Sequence, residues 1–174
     1  MPELDIAQYL RQARDLSHVI SNQWEMPIGP KQVLLNDYLN LDVTLSKLIM
    51  ATQAVMINVP SESVTRDENE ISDFYAQALV QFLTISLKQQ WTHLMVMTDE
   101  DIAQFKRFPQ RHLAHQYMGI KTMLLNSYHQ KRQGDFSHAW RSFLKLGLVE
   151  LQLTQNTIDK TVRKILMTST LDSL

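Results

Sequence analysis

Two carboxylates spaced three residues apart form the clearest metal-ligand pattern in this sequence. Glu70-Ile-Ser-Asp73 is an E-x-x-D stretch, and on a helix this spacing places both carboxylates on one face. Carboxylate oxygens suit Mg²⁺, which in turn binds phosphate groups. The same two residues stand at the expected start of a helix, where acidic side chains also interact favourably with the helix dipole. Metal binding and a helix-terminal role are therefore both open for this pair.

Two further groups of side chains could take part in binding. His112 and His115 share a helical face at metal-ligand spacing, although the sequence identifies no additional ligands for them. Lys106, Arg107 and Arg111 form a small basic cluster that could grip a phosphate or could simply be a solvated helix end. Neither pattern is specific by itself.

Several classes of chemistry are excluded by residues that the sequence lacks. There is no cysteine, which excludes disulfides, zinc–thiolate sites and thiol nucleophiles. The sequence contains no glycine-rich phosphate loop and no serine in a nucleophile elbow. The catalytic residues of any enzyme activity therefore stay unknown at this stage.

Charge and hydropathy restrict the expected partners. The 17 basic and 18 acidic residues give a net charge of −1, which provides no electrostatic footprint for nucleic acid. No apolar run approaches the roughly 20 residues that span a bilayer, and the first ten residues do not have the pattern of a signal peptide. We therefore expect a cytoplasmic protein whose partner is a protein or a small molecule, with no nucleic acid and no membrane.

The elements that must position these residues are all predicted to be helices. Only four glycines and five prolines occur among 174 residues, and apolar residues recur at helical spacing along most of the chain. We expect one all-α domain, residues 1–174, built as a bundle of six or seven helices with two long antiparallel helices at its centre. The predicted helices cover 4–22, 31–57, 68–90, 98–108, 110–133, a segment opened by Asp135 or Ser137, and a last helix capped by Thr154.

Three stretches of the chain resemble, in their order along the sequence, the all-α dUTPases of bacteria and phages. These enzymes belong with the MazG-like nucleoside triphosphate pyrophosphatases. Asp73-Phe-Tyr-Ala-Gln-Ala-Leu-Val-Gln-Phe-Leu-Thr-Ile-Ser-Leu87 is similar to a family helix that reads like E-E-Y-V-D-G-L-H-F-L-L-S-I-G-L. Leu41-Asp-Val-Thr-Leu45 lies where the family carries V-E-L-G-E-L. The segment 140–162, a Leu-Gly helix followed by a Thr-capped helix, resembles the C-terminal hairpin of the family.

The resemblance implies a specific chemistry, and this chain departs from it at the residues that matter. Family members cut a nucleoside triphosphate between its α- and β-phosphates, with Mg²⁺ held by a helical E-x-x-E facing a helical E-x-x-D. At those four positions this chain carries Asp42, Leu45, Phe74 and Gln77. Only Asp42 is an anion, and Gln77 offers a neutral carbonyl to a metal or a substrate. The basic, asparagine-rich nucleotide motif of the family is not visible either, since Lys164-Ile-Leu-Met-Thr-Ser occupies its place.

Three hypotheses about function follow from this departure. The chain is a dUTPase-like protein that has lost hydrolysis and keeps a nucleotide-sized cavity. Alternatively, it is an active Mg²⁺-dependent pyrophosphatase with a displaced metal site at Asp42, Glu70 and Asp73. The third reading is a helical protein-interaction module that needs no cofactor.

A homodimer is expected under the family resemblance. Family members dimerise through their helices, and the predicted helices 31–57 and 68–90 are apolar on nearly all sides. A large monomeric core would explain that apolar character as well.

Overall fold

The structure is a computed structural model that describes residues 4–55, 65–110 and 112–171. These residues form seven α-helices and no β-strand, which confirms the expected all-α fold. A 3-10 turn lies at Thr92–Leu94 and a π-helical segment at Leu146–Glu150. The helices are α1 Ile6–Asn22, α2 Pro30–Ala51, α3 Glu68–Gln89, α4 Asp99–Phe105, α5 Leu113–Gln130, α6 Gln133–Lys145 and α7 Gln155–Leu171. None of the described helices is long and apolar enough to cross a membrane.

Short polar side chains begin several of these helices. Asp5 accepts a hydrogen bond from the Gln8 backbone, and Asp67 accepts one from Asn69. Two of the caps match the sequence prediction. Thr98 forms a reciprocal capping box with Asp101, and the Thr154 hydroxyl accepts a hydrogen bond from the Thr157 backbone N–H at 3.1 Å. Each cap satisfies a backbone donor that has no partner within the helix.

Helix α2 ends earlier than its sequence predicts. It stops at Ala51 rather than near residue 57, because the chain turns at Gln53, whose φ is 54°. The Thr52 hydroxyl donates to the Leu48 carbonyl at 2.9 Å and so satisfies part of the helix end. Residues 56–64, which include the predicted loop residue Pro60, lie outside the described residues.

The boundaries around α4, α5 and α6 also differ from the prediction. Helix α4 stops at Phe105, three residues before the predicted end, and α5 begins at Leu113. Gly134 was predicted to end α5, but Lys131 does so in the left-handed conformation with φ 52°. Gly134 instead lies in the first turn of α6, which starts before the predicted Asp135. A glycine is favoured in that backbone conformation, but Lys131 adopts it here.

The two long helices α2 and α3 pack against each other in antiparallel orientation, as predicted. Lys88 near the end of α3 forms an ion pair with Asp37 in the first half of α2. At the other end of the pair, the Lys47 ammonium lies 6.0 Å from the centre of the Phe74 ring. Helix α3 also packs against α1 and α7, so it is the central helix of the fold.

Aromatic rings from α6 complete the core around α3. Phe82 lies within 6 Å of the rings of Phe136, Trp140 and Phe143, measured between ring centroids. The Trp140 indole is fully buried and donates its N–H to the Met95 carbonyl at 2.9 Å. Edge-to-face and offset ring contacts of this kind stabilise a core beyond their buried area.

Candidate functional site

Two of the four positions that the resemblance assigns to metal binding are occupied by packing residues. Leu45 on α2 is completely buried in the hydrophobic core. Phe74 is partly buried, packs against the same core, and lies beneath the ammonium of Lys47. An apolar side chain offers no ligand to a hard cation such as Mg²⁺. These positions therefore serve the fold.

Asp42, the single carboxylate among those four positions, is part of a contact between α2 and α5. Its carboxylate accepts a hydrogen bond from the Lys121 ammonium at 2.8 Å. The same ammonium donates to the Ser46 hydroxyl at 2.7 Å, one helical turn further along α2. Asp42 thus joins two helices, and its charge is balanced by a neighbouring cation.

Glu70 and Asp73, the carboxylates of the E-x-x-D stretch, are exposed in the first turns of α3. Asp73 borders a surface pocket whose far wall includes Lys160 and Lys164 of α7. Across the parts of the chain that the structure describes, no three His, Asp or Glu side chains come together in a group that could hold a metal ion. Asp42, Glu70 and Asp73 are accordingly not gathered into one site. This donor set does not fit the paired carboxylates that the family chemistry requires.

The described residues of the two clusters singled out in the sequence are exposed. The His112 and His115 rings lie 5.6 Å apart between centroids, and both side chains are exposed before and within the first turn of α5. Lys106 and Arg107 are exposed after α4, next to Phe108, which is 79% exposed. Arg111 lies outside the described residues.

A pocket of about 250 Å³ opens between α1, α2 and α3. Its apolar wall comes mainly from α1 and the residues that follow it, and its polar wall comes from α2 and α3. The apolar side chains are Leu16, Ile20, Trp24 and Val80. The polar ones are Ser17, Asn36, Asp37, Asn40, Gln81, Thr84 and Lys88. A concave site with an apolar body and a few converging polar groups is the usual form of a small-molecule site.

The charged groups of this pocket neutralise each other. Asp37 accepts a hydrogen bond from Lys88, and both side chains are largely buried. Burial raises the pKa of Asp37 above its ordinary value, and the opposing effect of Lys88 does not cancel that rise. Taking a carboxylate out of water disfavours its charged form, so the pair resides in a weakly hydrated environment. The pocket has no net charge from this pair.

Among the residues that line the pocket, Gln81 alone has a side-chain polar atom that is buried without a hydrogen-bond partner in the described part of the chain. Its Oε1 is shielded from water and lacks a hydrogen-bond partner, as do three other side-chain oxygens of the described residues. Leaving such an acceptor unsatisfied costs about 1–3 kcal/mol. A buried polar atom without a partner in a pocket wall marks a place where a ligand can contribute the missing hydrogen bond.

The polar wall of this pocket has a signal in the sequence. Gln77 was singled out, but Gln81, Thr84 and Lys88 continue the same stripe along α3 at helical spacing. Asp37 and Asn40 form the matching polar stripe on α2. Polar residues repeated on one face of two otherwise apolar helices predict a polar pocket where the two faces meet.

A second polar cluster lies away from the pocket. Tyr9 of α1 donates its hydroxyl to Asp159 of α7, and Arg163 donates to both oxygens of that carboxylate from Nε at 2.9 Å. Burial alone would raise the pKa of Asp159, but the hydrogen bonds from Arg163 and Tyr9 outweigh it and hold the pKa below the ordinary value. The cluster joins the first helix to the last.

No protein-family model, curated protein or solved structure matches this chain. What the protein does is therefore inferred from its own residues.

Proposed function

We propose that this protein is a dUTPase-like member of the nucleotide pyrophosphatase fold that has lost metal-dependent hydrolysis and binds a nucleotide-type ligand without cleaving it. The antiparallel packing of α2 and α3 supports this proposal, as does the packing of α7 against α3. Two stretches that carry the resemblance also meet in space. Tyr75, in the stretch 73–87, packs against Gly147, in the segment 140–162.

The loss of hydrolysis is inferred from the side chains at the four matching positions and from their contacts. Leu45 is core, Phe74 packs under Lys47, and Asp42 is bound to Lys121. Cleavage of a triphosphate builds negative charge on phosphate oxygens, and preorganised cations must stabilise that charge. Those cations need several anionic oxygens, and only one is present at these positions.

The direct test is pyrophosphate release from dUTP and related triphosphates in the presence of Mg²⁺. We expect no turnover at an enzyme-like rate. Asp42→Ala and Asp73→Ala are the controls, because a displaced metal site would use one of these carboxylates. Strong turnover that either substitution abolishes would replace the proposal with an active pyrophosphatase whose metal site has moved. Turnover unaffected by both would indicate a contaminating enzyme.

Ligand binding is tested separately from hydrolysis, by thermal unfolding with dUTP, dUMP, dCTP and ribonucleotides, with and without Mg²⁺. Anything that binds only the folded state raises the unfolding temperature. We expect stabilisation by nucleotide in the absence of metal. Stabilisation that requires both metal and nucleotide would favour the enzyme, and no stabilisation at all would favour a helical protein-interaction module.

We also propose that the protein forms a homodimer, through a face that includes α2, as the sequence suggested, but contains α5 in place of α3. Helix α3 is largely buried at the centre of the fold, so its apolar residues are already used. Helix α2, in contrast, leaves large apolar side chains between 37% and 56% exposed on one stripe. They are Leu35, Leu39, Val43 and Met50.

Helix α5 extends this apolar stripe beside α2. Met118 and Leu125 are 67% and 51% exposed, and they lie three residues before and four residues after Lys121, on the same helical face. Leu39 and Val43 each follow a residue of α2 that contacts α5, namely Tyr38 and Asp42. The exposed side chains therefore flank the Asp42–Lys121 ion pair.

A second copy of the chain suits this α2–α5 face. In a two-fold contact the same patch meets itself, so the patch must be complementary to itself. The Asp42 side chain is still 45% exposed beside Lys121, and a two-fold axis can bring each acid close to the base of the other copy. Contiguous exposed apolar side chains around such a pair are typical of an interaction site.

A further inference from the structure

We propose that the pocket between α1, α2 and α3 binds a small, uncharged, planar heterocycle that donates a hydrogen bond from a ring or amide N–H. This inference deepens the ligand-binding part of the proposed function and rests on it. It assigns the binding site to residues that the resemblance does not place in the metal site. It also predicts that the recognised part of the ligand is the neutral ring rather than a phosphate.

The size of the pocket limits the ligand to about one ring system. Pockets that enclose drug-sized ligands have volumes of about 300–1,000 Å³, and this pocket has about 250 Å³. Phosphate groups attached to such a ring would have to remain outside this pocket.

The charge of the pocket favours a neutral ligand. Lys88, the cation among the described lining residues, is already bound to Asp37. An anionic ligand at Lys88 would lie close to the Asp37 carboxylate, so it would either be repelled by that charge or have to displace it. Breaking a buried pair in this way is unfavourable, because it leaves one charge without compensation.

The hydrogen-bonding groups of the pocket favour a ligand that donates. The Thr84 hydroxyl donates to the Val80 carbonyl at 3.0 Å, and the Asn40 amide donates to the Asn36 carbonyl at 3.0 Å. Two donors of the wall are thus used internally, and one acceptor of the wall, Gln81 Oε1, is buried without a partner. A turn of the Gln81 side chain toward the pocket would bring this oxygen to a ligand N–H.

The apolar wall favours a flat ligand. Trp24 is half-buried beside Leu16 and Ile20, and Val80 lies on the α3 side. An indole beside aliphatic side chains provides a surface for a planar ring, since aromatic groups gain both buried area and favourable ring contacts. A planar ring with an N–H edge therefore satisfies both walls at once.

The experiment compares two ligands of the same size, nicotinamide and nicotinate, by NMR titration of the full chain labelled with ¹⁵N. Nicotinamide is neutral and carries N–H donors, whereas nicotinate is an anion and carries none. We expect nicotinamide to shift the Trp24 indole signal, identified by its loss in Trp24→Phe, with a Kd at least about tenfold below that of nicotinate. A factor of ten corresponds to roughly one hydrogen bond in a desolvated site.

Gln81→Met tests the acceptor, and Gln12→Met is its matched control. Gln12 also has a buried Oε1 without a partner, but it does not line the pocket. We expect Gln81→Met to weaken nicotinamide binding about tenfold or more, the loss expected for one hydrogen bond. We expect Gln12→Met to leave it unchanged.

Three results would overturn the inference. They are equal binding of nicotinate, no saturable shift of Trp24 at millimolar nicotinamide, and equal losses in the Gln81 and Gln12 variants. If nucleotides stabilise the protein while nicotinamide leaves Trp24 unchanged, the pocket assignment fails and the proposed function stands. If nicotinamide binds while every nucleotide fails to stabilise the protein, the pocket assignment stands and nucleotide binding fails.

Discussion

The ring of Tyr75 on α3 lies directly against the backbone of Gly147, in the π-helical segment that follows α6. The contact is so close that a Cβ atom at Gly147 would overlap the tyrosine ring. Tyr75 is completely buried, stacks on Phe143 at 4.4 Å between ring centroids, and donates its hydroxyl to the Phe143 carbonyl at 3.1 Å. The ring therefore cannot move away to make room. Glycine is required here for close approach rather than for an unusual φ.

Gly147→Ala is expected to destabilise the protein by about 1–3 kcal/mol, the usual cost of forcing an extra methyl group into a packed core. Urea unfolding followed by circular dichroism measures the loss. Gly119→Ala in the middle of α5 is the matched control, because nothing lies within 4 Å of a Cβ at that position. There the better helix propensity of alanine should stabilise the protein by up to about 1 kcal/mol. Similar effects of the two substitutions would contradict the role assigned to the Tyr75 contact.

The sequence predicted the helices well where a local signal defines them, but it did not predict their ends where a long-range or unusual conformation does. Thr98 and Thr154 were recognised as caps because capping depends on neighbouring residues. Gln53 and Lys131 end their helices in the left-handed conformation without being glycine, which no simple rule predicts. The π-helical segment was also missed.

The candidate site shows the same difference between features set by local sequence and features set by tertiary packing. Spacing correctly placed Glu70 in the first turn of α3 and Asp73 on the next. The partner of Asp42 could not be predicted, because Lys121 is 79 residues away in sequence. The pocket between α1, α2 and α3 depends on the relative position of three helices, which periodicity alone does not provide. Helical periodicity gives the faces of a helix, and tertiary packing decides which face meets which neighbour.

The Asp159 cluster should make stability depend on pH in the acid range. The pKa of Asp159 is lowered below the ordinary value of 3.8 in the folded state, so the Asp159 carboxylate binds a proton less readily in the folded protein than in the unfolded chain. The resulting stabilisation is present above 3.8 and is lost as the pH falls toward the folded-state pKa. Asp159→Asn should therefore cost about 1–2 kcal/mol at pH 7, where the charged hydrogen bonds to Arg163 and Tyr9 are intact.

Urea unfolding of wild type and Asp159→Asn between pH 7 and pH 2.5 checks this expectation. The difference in unfolding free energy should shrink as the pH decreases, because the wild-type carboxyl becomes protonated. Asp15→Asn, at an exposed position of α1, should show no such trend. A difference between wild type and Asp159→Asn that stays constant over this range would contradict the assigned role of the carboxylate.

A carboxylate introduced at position 74 should be tolerated, whereas one introduced at position 45 should not. Leu45 is completely buried, so Leu45→Glu places a carboxyl group in the core, which should cost about 3–5 kcal/mol, comparable to an uncompensated buried charge. Phe74 is only partly buried and lies near the Lys47 ammonium, so Phe74→Glu should cost no more than about 1–2 kcal/mol. Urea unfolding of the two variants decides the point. Equal stability of the two variants would show that the core does not require an apolar side chain at Leu45.

The last prediction concerns the α2–α5 face, and it separates a dimer from a monomer with a large exposed apolar stripe. At micromolar concentration we expect the wild-type chain to sediment as a dimer. Leu39→Glu combined with Val43→Glu places two carboxylates in each copy of the face. An isologous contact doubles every substitution, so four charges would lose their hydration, and desolvated like charges oppose association. The dimer should weaken by at least about tenfold, equivalent to 1.4 kcal/mol, while helical content stays unchanged because both positions are about half exposed.

Val96→Glu is the control, because Val96 is 57% exposed but precedes α4 and lies on neither α2 nor α5. It should leave the dimer intact. A wild-type chain that sediments as a monomer across this range would remove the dimer from the proposed function, and equal weakening by Val96→Glu would place the contact elsewhere on the surface.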